Sequence, residues 1–318
     1  MRIRPLAALS TAALAALLLA GCSSSGNPDA SASPSASVAA DLCSSAAPSG
    51  PASEAVAVSG EFGTDSSASF ASPLDITSVQ RTVITEGSGD PIEEGDYINI
   101  ALSGYDASTG AKLGSQGYTP GEIGPAPITT GTVLSQILGC AAPGTRVVAV
   151  TPSSDGSTPG QVFIVDLLSV TPTAAWGEPQ PPVDGMPTVT LADDGQPTVT
   201  IPDTAAPTEL QISVLKKGDG PAVAAGDTTL LQYWGVDWDT GESFDSSWSK
   251  GQPYSNPGNQ YVPGFVSALD GQTVGSQVLV VIPPSLAYGE AGSSDNALAG
   301  KTLVFVIDIL ATQHAATQ

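Results

Sequence analysis

Histidine is all but absent from this 318-residue chain, basic residues are few, and Phe, Trp and Tyr together make up only 5% of it. Each shortage excludes something. The one histidine, His314, sits in a polar C-terminal stretch, and two or three cysteines without a neighbouring ligand cannot build a zinc site. No metal or other cofactor is therefore expected. Nine Lys and Arg stand against 31 Asp and Glu, a formal net charge of −22. Such a surface repels nucleic acid and anionic lipid alike. Nucleic acid is excluded as a partner, and the acidity reads as a device for solubility outside the cell. Apolar runs long enough to span a membrane are missing too: the run Leu6 to Leu19 is too short and too early for a mature span.

What the N-terminus does hold is a processing signal. Arg2 and Arg4 precede that apolar run, and Leu19-Ala20-Gly21-Cys22 closes it with small residues, so residues 1–21 read as a secretory signal peptide. The four-residue ending resembles a bacterial lipobox. That resemblance implies cleavage before Cys22 and a lipid thioether on its sulfur; an ordinary secretion signal with an incidental cysteine is the alternative. The expected place of the protein is extracytoplasmic, lipid-anchored to the bacterial cell membrane. Residues 22–40 are almost entirely Ser, Ala, Gly and Pro after the cysteine, which cannot bury enough surface to offset chain entropy, and read as a disordered tether. With Cys22 lipidated, Cys43 and Cys140 are an even pair in an oxidising compartment and are expected to form a disulfide.

The rest of the chain is a repeat. Gly87, Gly95, Gly104, Gly110, Gly144 and Pro152 recur at an offset of 131 as Gly218, Gly226, Gly235, Gly241, Gly275 and Pro283. Beyond that point the offset becomes 142, pairing Val162–Leu168 with Val304–Leu310. The second copy thus has an extra loop, and that loop holds Leu286-Ala287-Tyr288-Gly289. Alternating or wholly apolar runs predict strands over 79–84, 97–102, 147–150 and 162–168, and again over 211–216, 228–234, 276–282 and 302–310. Val133, Leu134, Ile137 and Leu138 predict one short helix in the first copy, and residues 262–269 one in the second, with Phe265 and Leu269 on one face. Several strands with one helix make each copy an α+β fold, an antiparallel sheet curled around one short α-helix. The domains read as 41–171 and 208–312, joined by a Pro/Gly-rich acidic linker at 172–207 in which Thr188-Val189-Thr190 and Thr198-Val199-Thr200 could still add short edge strands, with a tail at 313–318.

The second copy gathers a set of aromatics on a fixed frame. In order come Gln232-Tyr233-Trp234-Gly235, Phe244-Asp245-Ser246-Ser247, Val262-Pro263-Gly264-Phe265, Leu286-Ala287-Tyr288-Gly289 and Thr302-Leu303-Val304-Phe305. In order and spacing these resemble the FKBP-type peptidyl-prolyl isomerases across the whole copy. The resemblance implies two FKBP-like domains and a proline pocket lined by Tyr233, Phe244, Val262, Phe265 and Phe305, with Tyr254 in its wall. It implies Tyr288 as a hydrogen-bond donor to the substrate carbonyl and Asp245 at the polar rim. Phe265 stands where the family usually has tryptophan. Asn296, Ala297 and Leu298 stand where bulkier Ile and Pro are common, which bears on selectivity and on binding of a macrolide inhibitor.

Taken singly, Phe305 and Tyr233 would be read as core residues, since aromatics usually fill interiors; their recurrence with Asp245 and Tyr288 reverses that. The first copy has Leu102, Leu113, Gly114, Ile123 and Leu134 at the positions of Tyr233, Phe244, Asp245, Tyr254 and Phe265, and only Phe163 survives, matching Phe305. It is expected to be degenerate and silent. The expected function is isomerisation of Xaa-Pro bonds in proline-containing exported polypeptides at the cell surface, by the C-terminal domain. A non-catalytic chaperone for proline segments, or an envelope assembly module, is the alternative.

Overall fold

The computed structural model describes residues 41–153 and 159–315. The expected signal peptide, the tether, Cys22 and most of the turn at 153–157 lie outside the described residues. The described chain divides into two compact units, 41–118 with 126–170, and 119–125 with 171–315.

The N-terminal unit opens with two short helices, α1 (Leu42–Ser45) and α2 (Pro51–Glu54), and a hairpin of β1 (Ala57–Ser59) and β2 (Ser67–Ser69). Then follow β3 (Gln80–Thr85), β4 (Tyr97–Asp106), β5 (Lys112–Gln116), β6 (Ala126–Pro127), α3 (Val133–Leu138), β7 (Arg146–Thr151) and β8 (Gln161–Val170). The sheet is antiparallel with strand order β3-β7-β8-β4-β5, and β6 also pairs with β4. Helix α3 starts at Thr132, whose hydroxyl accepts the Ser135 N–H at 3.1 Å, the usual way to satisfy an orphan donor of the first turn. The Cys43–Cys140 disulfide is present, tying α1 to the loop after α3 across 97 residues of sequence.

The C-terminal unit holds β9 (Glu178–Pro179), a hairpin of β10 (Thr188–Leu191) and β11 (Pro197–Thr200), then β12 (Gln211–Lys217), β13 (Thr228–Asp237), β14 (Ser243–Ser246), β15 (Tyr254–Pro257), α4 (Pro263–Leu269), β16 (Gln277–Ile282) and β17 (Leu303–Gln313). Its order is β14-β13-β17-β16-β12-β9, with β15 also on β13. Setting β9 aside, this is the strand order of the first sheet, strand for strand. The repeated glycines explain themselves at the same places. A Cβ on Gly87 would lie 2.2 Å from the Pro143 carbonyl oxygen, and one on Gly218 2.2 Å from that of Val274. Gly144 and Gly275 adopt φ of 92° and 93°, a conformation that favours glycine.

The segment read as a linker is part of the C-terminal unit. Strands β10 and β11 lie 131 residues after β1 and β2: Ala57 pairs with Ser69, and Thr188 with Thr200. Each hairpin covers the outer face of its own sheet. Val58, Ala68 and Phe70 pack on Val148, Val150, Val162 and Ile164; their counterparts Val189, Val199 and Ile201 pack on Leu279, Val281, Val304 and Val306. Low hydrophobicity between turns made 172–207 read as a connector, but a hairpin contributing alternate residues to a face needs only a few apolar positions. With both faces covered, β16 is buried along its whole length, as its unbroken apolar run requires. The tail is also shorter than expected. Strand β17 runs to Gln313, and His314 lies with its Nδ1 2.8 Å from the buried Asp227 carboxylate. Residues 119–125 belong to this unit too; the Gly121 carbonyl accepts the His314 N–H at 2.7 Å.

A buried polar pair sits at matching positions of the two sheets. In the N-terminal unit Arg146 makes a double contact with Asp166, at 2.6 and 2.7 Å, and its guanidinium also reaches the Gly60 and Glu61 carbonyls. In the C-terminal unit the pair is Gln277 with Asp308, 2.7 Å apart, and the Ala175 N–H donates to the same carboxylate at 2.8 Å. Without an arginine beside it, Asp308 has its carboxyl raised by burial.

Candidate functional site

The inner face of the C-terminal sheet, opposite its hairpin, is closed by α4. Alternation along the strands decides which residues look inward: Leu231 and Tyr233 from β13, Val278, Val280 and Ile282 from β16, Leu303, Phe305 and Ile307 from β17. Proline at the first position of α4 suits a helix start. Its neighbour Gly264 lets the helix approach the sheet, since a Cβ there would fall 2.4 Å from Ile282 Cγ2. That approach presses Phe265 into the core, 4% exposed.

Between helix, sheet and loops lies a cavity of about 270 Å³. All eight side chains that the sequence singled out for the site line it: Tyr233, Phe244, Asp245, Tyr254, Val262, Phe265, Tyr288 and Phe305. They come from β13, β14, β15, the start of α4, the loop after β16, and β17. Their rings meet edge to face. Phe265 and Phe305 are 5.2 Å apart at 85°, Phe244 and Phe305 5.5 Å at 90°, and Tyr233 and Tyr254 5.8 Å at 76°. Such pairs contribute roughly 0.5–1.5 kcal/mol each beyond area burial. Gly235 is required for this: a Cβ there would stand 2.8 and 2.9 Å from the Phe244 and Phe305 rings.

One side of the cavity is polar. The Tyr233 hydroxyl donates to Asp245 Oδ2 at 2.7 Å, and Lys250 Nζ reaches Asp245 Oδ1 at 2.6 Å and the Tyr233 hydroxyl at 3.1 Å. Burial works to raise the Asp245 carboxyl, but the Lys250 and Tyr233 contacts outweigh it and hold it below the usual carboxylate range. The lysine is raised in turn, first by Asp245 and then by Tyr233. Across the cavity, Tyr288 stands in the loop after β16, which turns through Gly289 at φ 89°. Its ring is 36% exposed, and its hydroxyl makes no hydrogen bond within the described residues. The cavity therefore offers apolar walls, one engaged carboxylate and one free O–H donor. Among the described residues no group of three or more His, Cys, Asp and Glu is placed to hold a metal.

Residues 220–310 match the family described as FKBP-type peptidyl-prolyl cis-trans isomerase. The probable FK506-binding protein of Corynebacterium glutamicum is 41% identical over 102 residues, covering 32% of this chain and 86% of that protein. The chain belongs to the FKBP-type peptidyl-prolyl cis-trans isomerases. The FK506-binding protein of Streptomyces anulatus is 39% identical over 106 residues, again 32% of this chain and 86% of that protein. The FKBP-type 22 kDa isomerase of Escherichia coli is 39% identical over 101 residues, 48% of its own length.

Sequence reading missed three residues of this FKBP cavity, Lys250, Gln260 and Tyr261. Lys250 follows Phe244-Asp245-Ser246-Ser247 on a tight turn, Trp248–Lys250, that brings its amine back to Asp245. Tyr261 stacks on Phe265, with centroids 4.8 Å apart at 25°, and burial pushes its hydroxyl up to about 12. It extends the cavity floor beside Phe265. An aromatic immediately before Val262 was the available clue. Trp234 and Trp238 pack on the hairpin-covered face, and the Trp176 ring lies against Gly275.

Proposed function

We propose that the isomerase activity resides in the C-terminal cavity and that the N-terminal unit is a degenerate FKBP-like domain without it. One observation carries this reading: eight side chains from separate segments converge on a single cavity of about 270 Å³, whereas the first copy has Leu102, Leu113, Gly114, Ile123 and Leu134 at five of those positions.

The chemistry asks for such a site. Rotation about an Xaa-Pro bond faces a barrier of roughly 20 kcal/mol because twisting destroys amide resonance. No bond is made or broken. The twisted amide is less dipolar than the planar one, so an apolar, water-poor cavity favours it relative to water. The proline ring sits against Phe265, Phe305 and Phe244, Tyr254 and Val262 hold its flanks, and the Tyr288 hydroxyl donates to the substrate carbonyl as it rotates. Asp245, fixed by Tyr233 and Lys250, keeps the rim polar and in place. A thousandfold acceleration requires only about 4 kcal/mol of differential binding, within reach of these contacts. The same aromatic walls suit a macrolide of the kind for which two relatives are named.

The substrates in this reading are proline-containing exported polypeptides, met outside the cytoplasm by a chain anchored through lipid on Cys22. The ending Leu19-Ala20-Gly21-Cys22 and the pairing of Cys43 with Cys140 support that setting. A protease-coupled assay of the whole chain on a short Xaa-Pro peptide should show catalysis that FK506 suppresses; rates at the uncatalysed background end the proposal. Radiolabelled palmitate should label the wild type and not Cys22→Ala.

A further inference from the structure

Comparison of the two units exposes a groove at one sheet edge that only one of them fills. In the N-terminal unit the edge strand β3 is covered by the chain's own residues 48–54. The Arg81 N–H donates to the Pro48 carbonyl at 3.1 Å, and the Thr82 hydroxyl to Ser53 Oγ at 2.9 Å. The Gln80 carboxamide oxygen accepts the N–H groups of Ala52 and Ser53 at 3.0 and 3.3 Å. At the offset of 131 these three edge residues are Gln211, Ile212 and Ser213 on β12.

The covering segment does not recur. The counterpart of α2 would be 182–185, which forms no helix. Gly50, which passes against the Gln80 side chain, has Pro181 as its counterpart. Here the chain pairs with β12 only toward its C-terminal end, β9 at Lys216 and Lys217 and the Gln180 N–H on the Leu215 carbonyl at 2.8 Å, and then passes over the outer face of the sheet. What remains is a cavity of about 500 Å³ floored by Ser213, Leu215 and Leu279. The Ser213 hydroxyl is buried there without a hydrogen-bond partner, and Val183, which also lines the cavity, stands exposed; Ile212, next to Ser213 on the strand edge, is exposed as well.

We infer that this notch on the edge of the C-terminal sheet is a second binding site, taking an extended Ser/Ala/Pro-bearing segment of another polypeptide. It is separate from the aromatic cavity and does not depend on the reading of that cavity. The occupant's chemistry is given by residues 48–54: a backbone carbonyl over the Ile212 N–H, a Ser or Thr hydroxyl for Ser213, small side chains, and N–H groups for Gln211. An uncovered edge strand is a ready template for such strand-like addition, and an unpaired buried hydroxyl is a polar group awaiting its partner.

The test uses the full chain and a fluorescein-labelled peptide with the sequence of residues 47–56, followed by anisotropy in the presence of a saturating short Xaa-Pro peptide that occupies the aromatic cavity. Saturable binding is expected. Ser213→Leu, which fills the notch, should weaken it about tenfold, and the exposed Gln211→Ala about threefold. Both should leave isomerase activity intact, and Thr82→Val should change nothing. The inference is overturned by absence of saturation up to about 1 mM, by binding indifferent to both β12 variants, by loss in Thr82→Val, or by displacement with the Xaa-Pro competitor.

Discussion

The N-terminal and C-terminal units build the same five-stranded antiparallel order, cover the outer face with the same hairpin, and close the inner face with one short helix. They differ in what the inner face holds. Leu134 and Phe265 occupy matching helix positions and are about equally buried, at 6% and 4%. Leucine satisfies the fold there, and phenylalanine satisfies the fold and floors a cavity. At the matching positions on the strand after the first turn, Leu113 is exposed whereas Phe244 packs on Phe305. The comparison teaches that this sheet demands apolar volume from the inner face but not ring shape. The aromatic set is therefore in excess of what folding needs.

Several substitutions sharpen or break that contrast. The largest effect is expected from Phe265→Ala, which should cost about 3–5 kcal/mol of stability and most of the catalytic activity. Leu134→Ala in the other unit should cost about 2–5 kcal/mol while activity stays. All four tryptophans, at 176, 234, 238 and 248, lie in the C-terminal unit, so their fluorescence in a urea titration should follow only the first of these variants. If Leu134→Ala also abolished turnover, the assignment of activity to one unit would be wrong.

Arg146→Met should destabilise the N-terminal unit by about 3–5 kcal/mol, because it leaves Asp166 buried without its cation. Hydrogen exchange of β7 and β8 amides would report it. Cys43→Ser removes a cross-link spanning 97 residues and should cost about 2–5 kcal/mol, again with no change in turnover. Tyr288→Phe should lower kcat/KM about three- to tenfold, as expected for one neutral hydrogen bond, with the urea midpoint unmoved. A larger loss would mean that the hydroxyl does more than donate to a carbonyl.

The smallest effect concerns pH. Asp308 is an acid raised by burial in the folded state, so its contribution to stability is complete below the unfolded value of about 3.9 and is lost as pH rises through the folded value. Asp245 is lowered, and its contribution runs the opposite way, present above the unfolded value and lost as pH falls through the folded one. The tryptophan-detected midpoint should therefore decline as pH rises above the unfolded carboxylate value, through the raised folded value of Asp308. Gln277→Arg, which copies the N-terminal pair, should flatten that decline; an unchanged slope would remove Asp308 as its cause.

Much of this was legible in the residues. The eight strands predicted from alternation are all present, within a few residues at their ends, because buried strands and short amphipathic helices announce themselves by period. The aromatic site residues could be picked out because their motifs keep the order and spacing of the FKBP-type isomerases, and that resemblance implies their place in a pocket. Two things were less legible. Residues 172–207 looked like a connector with two possible edge strands at 188–190 and 198–200, and their pairing as a hairpin on the sheet was not evident, since a hairpin packed by one face exposes as much polar chain as a loop does. Lys250 and Tyr261 were passed over, as a lone lysine and a lone tyrosine carry no period.

The amino-acid order alone determined that one architecture is present twice and that only the second copy carries the rings and the Tyr288 loop. It did so because glycines at forced backbone turns and apolar residues at strand spacing are local requirements. Tertiary structure alone decided that rings from six places in the chain enclose one cavity, that Lys250 returns to clasp Asp245, and that β9 meets β12 only at its C-terminal end, leaving Gln211–Ser213 without it. Those are matters of approach between segments distant in sequence, where an ångström of clearance at Gly235 or Gly264 settles what can meet.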